Sequence, residues 1–80
     1  YPKYRVVISD EAIPFVETGK SVFCKFVIEL DERILPEDVV LIVDRGDNLI
    51  AVGIAKLSAE EIKSFKRGVA VKVKHARKNI

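Results

Sequence analysis

The sequence predicts a mixed α/β domain, mainly β, that folds as a small pseudo-barrel with the element order β-α-β-β-β-α-β. Short runs rich in β-branched residues recur along the chain, and a tight turn joins two of them. The two helical segments are too few and too short to cover a parallel doubly wound sheet, whereas they suit a small barrel. Because 80 residues suffice for one core only, residues 1–80 are expected to form a single domain.

The first third of the chain predicts a strand, a short helix and a second, longer strand. Tyr4–Ile8 is a β-prone run. The helix is expected at about residues 11–18, because Pro14 is tolerated only near a helix start and Gly19 ends the pattern. Residues 21–30 alternate, which predicts one strand with a core face and a mixed, partly covered face. The residues expected on the core face are Val22, Cys24, Phe26, Ile28 and Leu30.

The middle of the chain predicts a hairpin of two strands. Val39–Val43 is a continuous aliphatic run, which is typical of a strand covered on both faces. Residues 44–48 combine Asp, Gly and Asn and predict a tight turn, after which residues 49–57 return as the partner strand. Gly53 inside that partner strand predicts a bulge or a sharp bend, which a small barrel needs in order to close.

The last third of the chain predicts a capped helix and a final strand. Ser58 and Glu61 have the spacing of a capping box, in which each side chain bonds the backbone N–H of the other. The helix is expected to run to about Arg67, with Ile62 and Phe65 on its apolar face. Residues 69–74 alternate, which predicts Val69, Val71 and Val73 facing inward and Ala70, Lys72 and Lys74 facing outward.

The charges are distributed unevenly, although the net charge is only +2. Residues 1–62 carry seven basic and twelve acidic side chains, whereas residues 63–80 carry seven basic ones and no acid. This pattern is typical of a polyanion-binding surface, although a solvated C-terminal tail has the same composition. Lys66, Arg67, Lys72 and Lys74 are expected to lie together at the helix end and on the next strand, where they suit nucleic-acid phosphates. For Lys66 and Arg67, the alternative is a favourable interaction with the helix dipole.

The remaining composition argues against several classes of protein. No apolar run approaches the ~20 residues of a membrane span. Cys24 is the only cysteine, so no internal disulfide can form and a reducing cytoplasm is expected. The chain opens with Tyr1 and contains no methionine, which indicates a module excised from a longer protein. Cys24 and His75 are isolated, and the carboxylates lie in turns and first helical turns, so no metal, cofactor or catalytic group is predicted.

Residues 18–21 (TGKS) are similar to the end of a phosphate-binding loop. Such a loop needs a glycine five residues before its Gly-Lys pair, and Pro14 stands there instead, so this interpretation fails. Gly19 either lets a nucleic-acid backbone approach Lys20 closely or serves only to end the helix. The sequence leaves both interpretations open.

Three separated segments of the chain resemble the PUA domain. They are residues 20–27 (KSVFCKFV), residues 49–55 (LIAVGIA) and residues 64–73 (SFKRGVAVKV). The resemblance extends from about residue 5 to residue 74, and it is to the PUA domain at the C-terminus of archaeal tRNA-guanine (archaeosine) transglycosylases and related archaeosine-pathway proteins. It implies a pseudo-barrel that binds structured RNA, often tRNA near its acceptor end, for an RNA-modifying domain elsewhere in the polypeptide.

The resemblance also implies which residues contact RNA, since family members bind through the first helix, the glycine loop after it and the last strand. In this sequence those positions are Phe15, Val16, Gly19, Lys20, Ser21 and Val22, and then Arg67, Gly68, Lys72 and Lys74, to which charge adds Lys66. Glu17 departs from this pattern, because it places a negative charge in the first helix beside the expected RNA surface.

Two principal function hypotheses follow. The first is an RNA-binding module, specifically for tRNA, of an RNA-modification enzyme, with the catalytic domain of the host protein as its second partner and no membrane partner. The alternative is a protein-interaction or regulatory module of a larger enzyme, in which Phe23 and Val27 form an exposed apolar docking face. A small enzyme is a third and weaker candidate. The first two differ in surface charge, because RNA binding needs one contiguous positive face.

Overall fold

The computed structural model describes residues 4–65 and 67–76 of the chain. Its strands are β1 (Tyr4–Ile8), β2 (Val22–Phe23), β3 (Val27–Leu30), β4 (Val39–Val43), β5 (Leu49–Ala55) and β6 (Val69–Ala76). Its helices are α1 (Ile13–Val16), which continues a 3-10 turn at Asp10–Ala12, and α2 (Ala59–Ser64). A second 3-10 turn, Cys24–Phe26, separates β2 from β3. No helix in these two ranges has the length and apolarity that crossing a membrane requires.

The six strands form one sheet in the order β2-β6-β5-β4-β1-β3, so its two outer strands come from neighbouring stretches of the chain. β1 and β4 are parallel, and the other pairs are antiparallel. The turn between β2 and β3 links the two outer edges. The Cys24 N–H donates to the Gly68 carbonyl (3.0 Å), and the Ser9 N–H donates to the Phe26 carbonyl (2.9 Å). The predicted fold class, a small pseudo-barrel that is mainly β, is confirmed.

The core of the barrel is one cluster of buried aliphatic side chains. Alternate residues of β1 and β4 supply four of its members, Val6, Ile8, Val40 and Ile42. The two helices add Val16 from α1 and Ile62 from α2 to the same cluster. Burial of these side chains is the main force that holds the short helices against the sheet, since a helix of this length is not stable alone.

The single strand predicted over residues 21–30 is wrong, because the 3-10 turn divides it into β2 and β3. The observed order is therefore β-α-β-β-β-β-α-β. The physical reason is that this segment leaves one outer edge of the sheet, beside β6, and joins the other, beside β1. A regular strand cannot make that corner, and the turn also resets the alternation of side chains. Val22 and Cys24 are buried as predicted, whereas Phe26 and Leu30 are half-buried and Ile28 is exposed.

The predicted start of α2 is confirmed and its predicted end is wrong. The Ser58 hydroxyl accepts from the Glu61 N–H (3.2 Å), and a Glu61 carboxylate oxygen accepts from the Ser58 N–H (3.0 Å). The helix ends at Ser64, and Phe65 is extended and exposed rather than packed beside Ile62. Ala59 and Ile62 already supply the buried face of α2. The chain then leaves the helix to enter β6.

The predicted hairpin of β4 and β5 is confirmed, and so is the irregularity at Gly53. The register of β5 against β6 shifts between Val52 and Gly53. The extra residue lies on β6, because Gly53 pairs with Val73 and Val52 pairs with His75, which leaves Lys74 between them. Gly53 is required there because β6 approaches so closely that an added Cβ would lie 2.5 Å from the backbone oxygen of Lys72.

The final strand is two residues longer than predicted and departs from strict alternation at Ala70. Val22 pairs with Val71 and Phe23 pairs with Val69, so Ala70 is the extra residue of a bulge in β6. Its side chain is fully buried, not outward as predicted. Bulges of this kind change the direction of a side chain without ending the strand.

Candidate nucleic-acid interface

The loop after α1 folds back over the helix and brings Lys20 beside Phe15. Gly19 has a φ of 104°, which favours glycine, and its N–H donates to the Val16 carbonyl (3.0 Å). The next N–H, of Lys20, donates to the Phe15 carbonyl (3.1 Å). The prediction that Gly19 ends the first helix is therefore confirmed. Its other suggested role, close approach to a nucleic acid, stays a prediction.

An apolar groove of about 290 Å³ lies between α1, this loop and β2. Its walls are Phe15, Lys20, Ser21, Phe23 and Phe26. Phe15 is 61% exposed and Phe23 is 46% exposed, although both are large hydrophobic residues. Two exposed aromatic rings can stack against a planar ligand, and a neighbouring lysine can interact with a negative charge on that ligand.

A second, smaller pocket of about 220 Å³ adjoins the groove, because Phe23 lines both. The other lining residues of this pocket are Lys25, Arg67 and Gly68. Lys25 also lies over the ring of Phe26, with 5.1 Å from its ammonium nitrogen to the ring centre. Groove and pocket therefore form one surface, which we call the Phe23 face.

The exposed lysines of β6 continue this face. β2 pairs with β6 through Val22 and Val71, so Lys72 lies next along β6, beside the Ser21 end of β2. Lys74 is also exposed, but it is the extra residue of the bulge opposite Gly53. Val73 between the two lysines is half-buried, so the prediction that Lys72 and Lys74 both face outward is confirmed.

Most of the cations in the described part of the chain fall into two groups. In one group each cation has a carboxylate partner: Arg5 with Asp47 (3.3 Å), Arg33 with Asp31 (2.8 Å), Lys56 with Glu37 (3.6 Å), and Lys63 with Glu32. The hydrogen bonds from Arg33 hold the pKa of Asp31 at about 2. The other group consists of Lys20, Lys25, Arg67, Lys72 and Lys74, none of which forms an ion pair within the described ranges. These five cations lie on the Phe23 face or along β6 beside it, whereas Arg45, which also forms no ion pair within the described ranges, lies in the exposed turn between β4 and β5.

Several predicted site residues have positions that limit what they can do. Val16 and Val22 are fully buried, so only their backbone could take part in binding. The sequence suggested that Glu17 places a negative charge beside the RNA surface. In the structure Glu17 is buried, so its carboxylate is not exposed on the Phe23 face. Lys66 lies outside the described residues. Five of the predicted site residues do come together in the structure, around β2 and the start of β6. They are Phe15, Lys20, Arg67, Gly68 and Lys72.

Sequence reasoning missed Phe23, Lys25 and Phe26 as components of this site. Phe26 was expected in the core. The mixed face of residues 21–30 was expected to be partly covered, and Phe23 was considered as an exposed residue only in the protein-interaction alternative. That mixed face was the available signal, because an aromatic residue and a lysine alternate on it.

Cys24 and His75 are the only cysteine and the only histidine of the sequence. Cys24 is buried, which raises the pKa of its thiol, and His75 is exposed on β6. Across the described residues, no three His, Cys, Asp or Glu side chains converge as metal ligands.

Comparison with known proteins finds a matching family model, similar relatives and similar solved structures. The family model described as "PUA domain" matches residues 4–77. A tRNA-guanine(15) transglycosylase from Thermococcus onnurineus is 51% identical over 92% of this chain, which spans only 13% of that enzyme. A solved PUA domain protein from Thermoplasma acidophilum superposes with a TM-score of 0.89 and 27% identity, covering 92% of this chain and 49% of that one. An H/ACA RNP bound to a substrate RNA gives a TM-score of 0.91 and 28% identity, covering 92% of this chain and 23% of that one.

Proposed function

Since the chain belongs to the PUA domain family, we propose that it is a non-catalytic RNA-binding module that docks tRNA for a modifying domain in the same cytoplasmic polypeptide. The observation that carries this proposal is the Phe23 face, where exposed aromatic rings adjoin cations without carboxylate partners. RNA is the ligand class that offers both planar bases and closely spaced phosphates.

The chemistry of the face divides between these two parts of RNA. Phe15 and Phe23 form an apolar groove that suits an unpaired base, because base–aromatic stacking does not require a particular sequence. Lys20, Lys72 and Lys74 are exposed around it and suit the backbone phosphates. A protein partner would use the aromatic rings but has no general need for the surrounding cations, so this combination favours RNA.

The comparisons support tRNA as the particular ligand. The relative from Thermococcus onnurineus is by name an enzyme that acts on tRNA, and 51% identity extends over nearly all of this chain. Because the chain spans 13% of that enzyme, the catalytic apparatus of a comparable host would lie in other domains. The module's task would then be to hold the RNA while a neighbouring domain reacts with it.

We expect tRNA binding by this domain to weaken steeply as salt is added. Each phosphate that a lysine or arginine neutralises releases counterions and contributes about −0.7 to −0.9 to the slope of log K against log salt concentration. Three or four such contacts give a slope of roughly −2 to −4. Titrations of an archaeal tRNA transcript at several salt concentrations measure it. A slope near zero with measurable binding would contradict a role for the cations.

The lysines of β6 provide the direct test of a defined docking surface. The double variant Lys72→Ala/Lys74→Ala is expected to bind the tRNA transcript roughly tenfold more weakly, since each phosphate contact contributes up to about 1 kcal/mol. The matched control is Lys56→Ala/Lys63→Ala, which removes the same charge from two lysines that are already ion-paired with Glu37 and Glu32.

The control double is expected to change affinity by no more than about twofold at the same salt concentration. Both doubles should melt close to the parent, because exposed substitutions usually change stability by about 0.5 kcal/mol or less. Equal losses of affinity in the two doubles would mean that RNA responds only to net charge and would contradict the docking surface.

A further inference from the structure

The start of β6 and the turn between β2 and β3 are joined by a backbone hydrogen bond that brings two cations together. The Cys24 N–H donates to the Gly68 carbonyl at 3.0 Å. Lys25 follows Cys24 directly, and Arg67 precedes Gly68 directly. The bond therefore holds the backbones of the two cationic residues on either side of one pocket, the 220 Å³ pocket that they line with Phe23 and Gly68.

Two like charges held close together repel each other, and the described residues provide no compensating acid at this pocket. Neither Lys25 nor Arg67 forms an ion pair within residues 4–65 and 67–76. Both side chains are exposed, so their positive charge is offered to solvent. An anion in the pocket would interact with both, and a tetrahedral oxyanion can accept from an ammonium group and a guanidinium at once.

The remaining lining residues leave the pocket open to a ligand and connect it to the groove. Gly68 has a φ of 97°, and a Cβ built on it would meet no atom within 4 Å, so the backbone there is open to a ligand. Phe23 lines both this pocket and the aromatic groove. A nucleotide whose base lies in the groove can therefore place a phosphate in the pocket, since the two compartments share one wall.

We propose that Lys25, Arg67 and Gly68 form a subsite for one backbone phosphodiester of the RNA whose base stacks in the adjoining groove. This inference rests on the proposed function. It adds the turn at Cys24–Phe26 to the first helix, glycine loop and last strand as a fourth RNA-contacting element. Lys25 also contacts Phe26, so a decisive test needs a readout that loss of this packing contact would not change.

The test compares Lys25→Ala and Arg67→Ala with Lys56→Ala and Arg45→Ala, which remove the same residue types outside the pocket. Arg45 lies in the exposed turn between β4 and β5. Titrations of an archaeal tRNA transcript across a salt series are expected to give about threefold weaker binding for each pocket variant. The slope of log K against log salt should become less negative by about 0.7 to 0.9 in each, and stay unchanged in the controls.

The double variant Lys25→Ala/Arg67→Ala distinguishes one shared phosphate from two independent contacts. If both side chains bind the same phosphate, the fold loss of tRNA affinity in the double variant is smaller than the product of the fold losses in the two single variants. A fold loss in the double variant that equals this product, together with twice the single-variant change in the slope of log K against log salt concentration, would overturn the shared subsite.

The outcomes also separate this subsite from the proposed function. Salt-dependent tRNA binding by the parent, with pocket variants that behave like their controls, would overturn the subsite and leave the RNA-binding function standing. Absence of tRNA binding by the parent would overturn the function itself, and the subsite with it. Titration with inorganic phosphate at constant ionic strength provides a further arm. Inorganic phosphate could bind the parent through Lys25 and Arg67 while the tRNA affinity of the two pocket variants stays at the parent value. In that case the pocket binds the free anion, and the phosphodiester proposal is overturned.

Discussion

Gly53→Ala should lower the free energy of unfolding by about 3 kcal/mol, the upper end of the usual cost of overpacking. An added Cβ would lie 2.5 Å from the Lys72 backbone oxygen and 2.7 Å from a methyl group of Val71. The nearest of these atoms belongs to the backbone of β6, so relief requires β5 and β6 to separate at the centre of the sheet. For a domain of this size the melting temperature should fall by roughly 12 to 24 °C.

Gly46→Ala is the matched control, because it makes the same chemical change in the turn between β4 and β5. Its Cβ would lie 3.1 Å from the Asn48 amide nitrogen, an exposed side-chain atom that can move. We expect a loss of no more than about 1 kcal/mol. Thermal melting of the two variants measures both effects, and similar melting temperatures would contradict the close approach of the two strands at Gly53.

Phe23→Ala should weaken tRNA binding by about 5- to 150-fold, because the stacking of one base on an aromatic ring contributes about 1–3 kcal/mol. Phe23 forms a wall of both the groove and the cationic pocket, so its removal opens the two compartments into each other. Phe15→Ala should have an effect of the same kind, since Phe15 lines the groove from α1. Titrations of the tRNA transcript at one fixed salt concentration measure these losses.

Leu49→Ala is the control for the loss of an exposed hydrophobic side chain. Leu49 is 50% exposed, close to the 46% of Phe23, and it lies at the start of β5 outside the groove and the pocket. It should leave tRNA affinity unchanged, and Phe23→Tyr should retain most of it because the ring is kept. If Phe23→Ala bound tRNA as well as Leu49→Ala does, the groove would not be a base-binding site.

The sequence by itself determined those features that depend on neighbouring residues. The hairpin of β4 and β5 was predictable because aliphatic runs flank a turn rich in Asp, Gly and Asn. The start of α2 was predictable because Ser58 and Glu61 satisfy each other's backbone within one helical turn. The pseudo-barrel followed from several short strands and from Gly53, and the concentration of basic residues near the C-terminus was visible in composition alone. Each signal is local, so it does not depend on what packs against it.

The tertiary structure alone decided how distant segments meet, and with it the candidate site. The alternation of residues 21–30 could not reveal the 3-10 turn, because the turn exists to carry the chain from β6 at one sheet edge to β1 at the other. That turn exposes Ile28 and, with the bond from Cys24 to Gly68, brings Lys25 to Arg67 across 42 positions of sequence. Likewise Ala70 is buried because β6 is bulged against β2. Periodicity describes one strand at a time, whereas register and closure depend on pairs of strands, so only the folded chain specifies them.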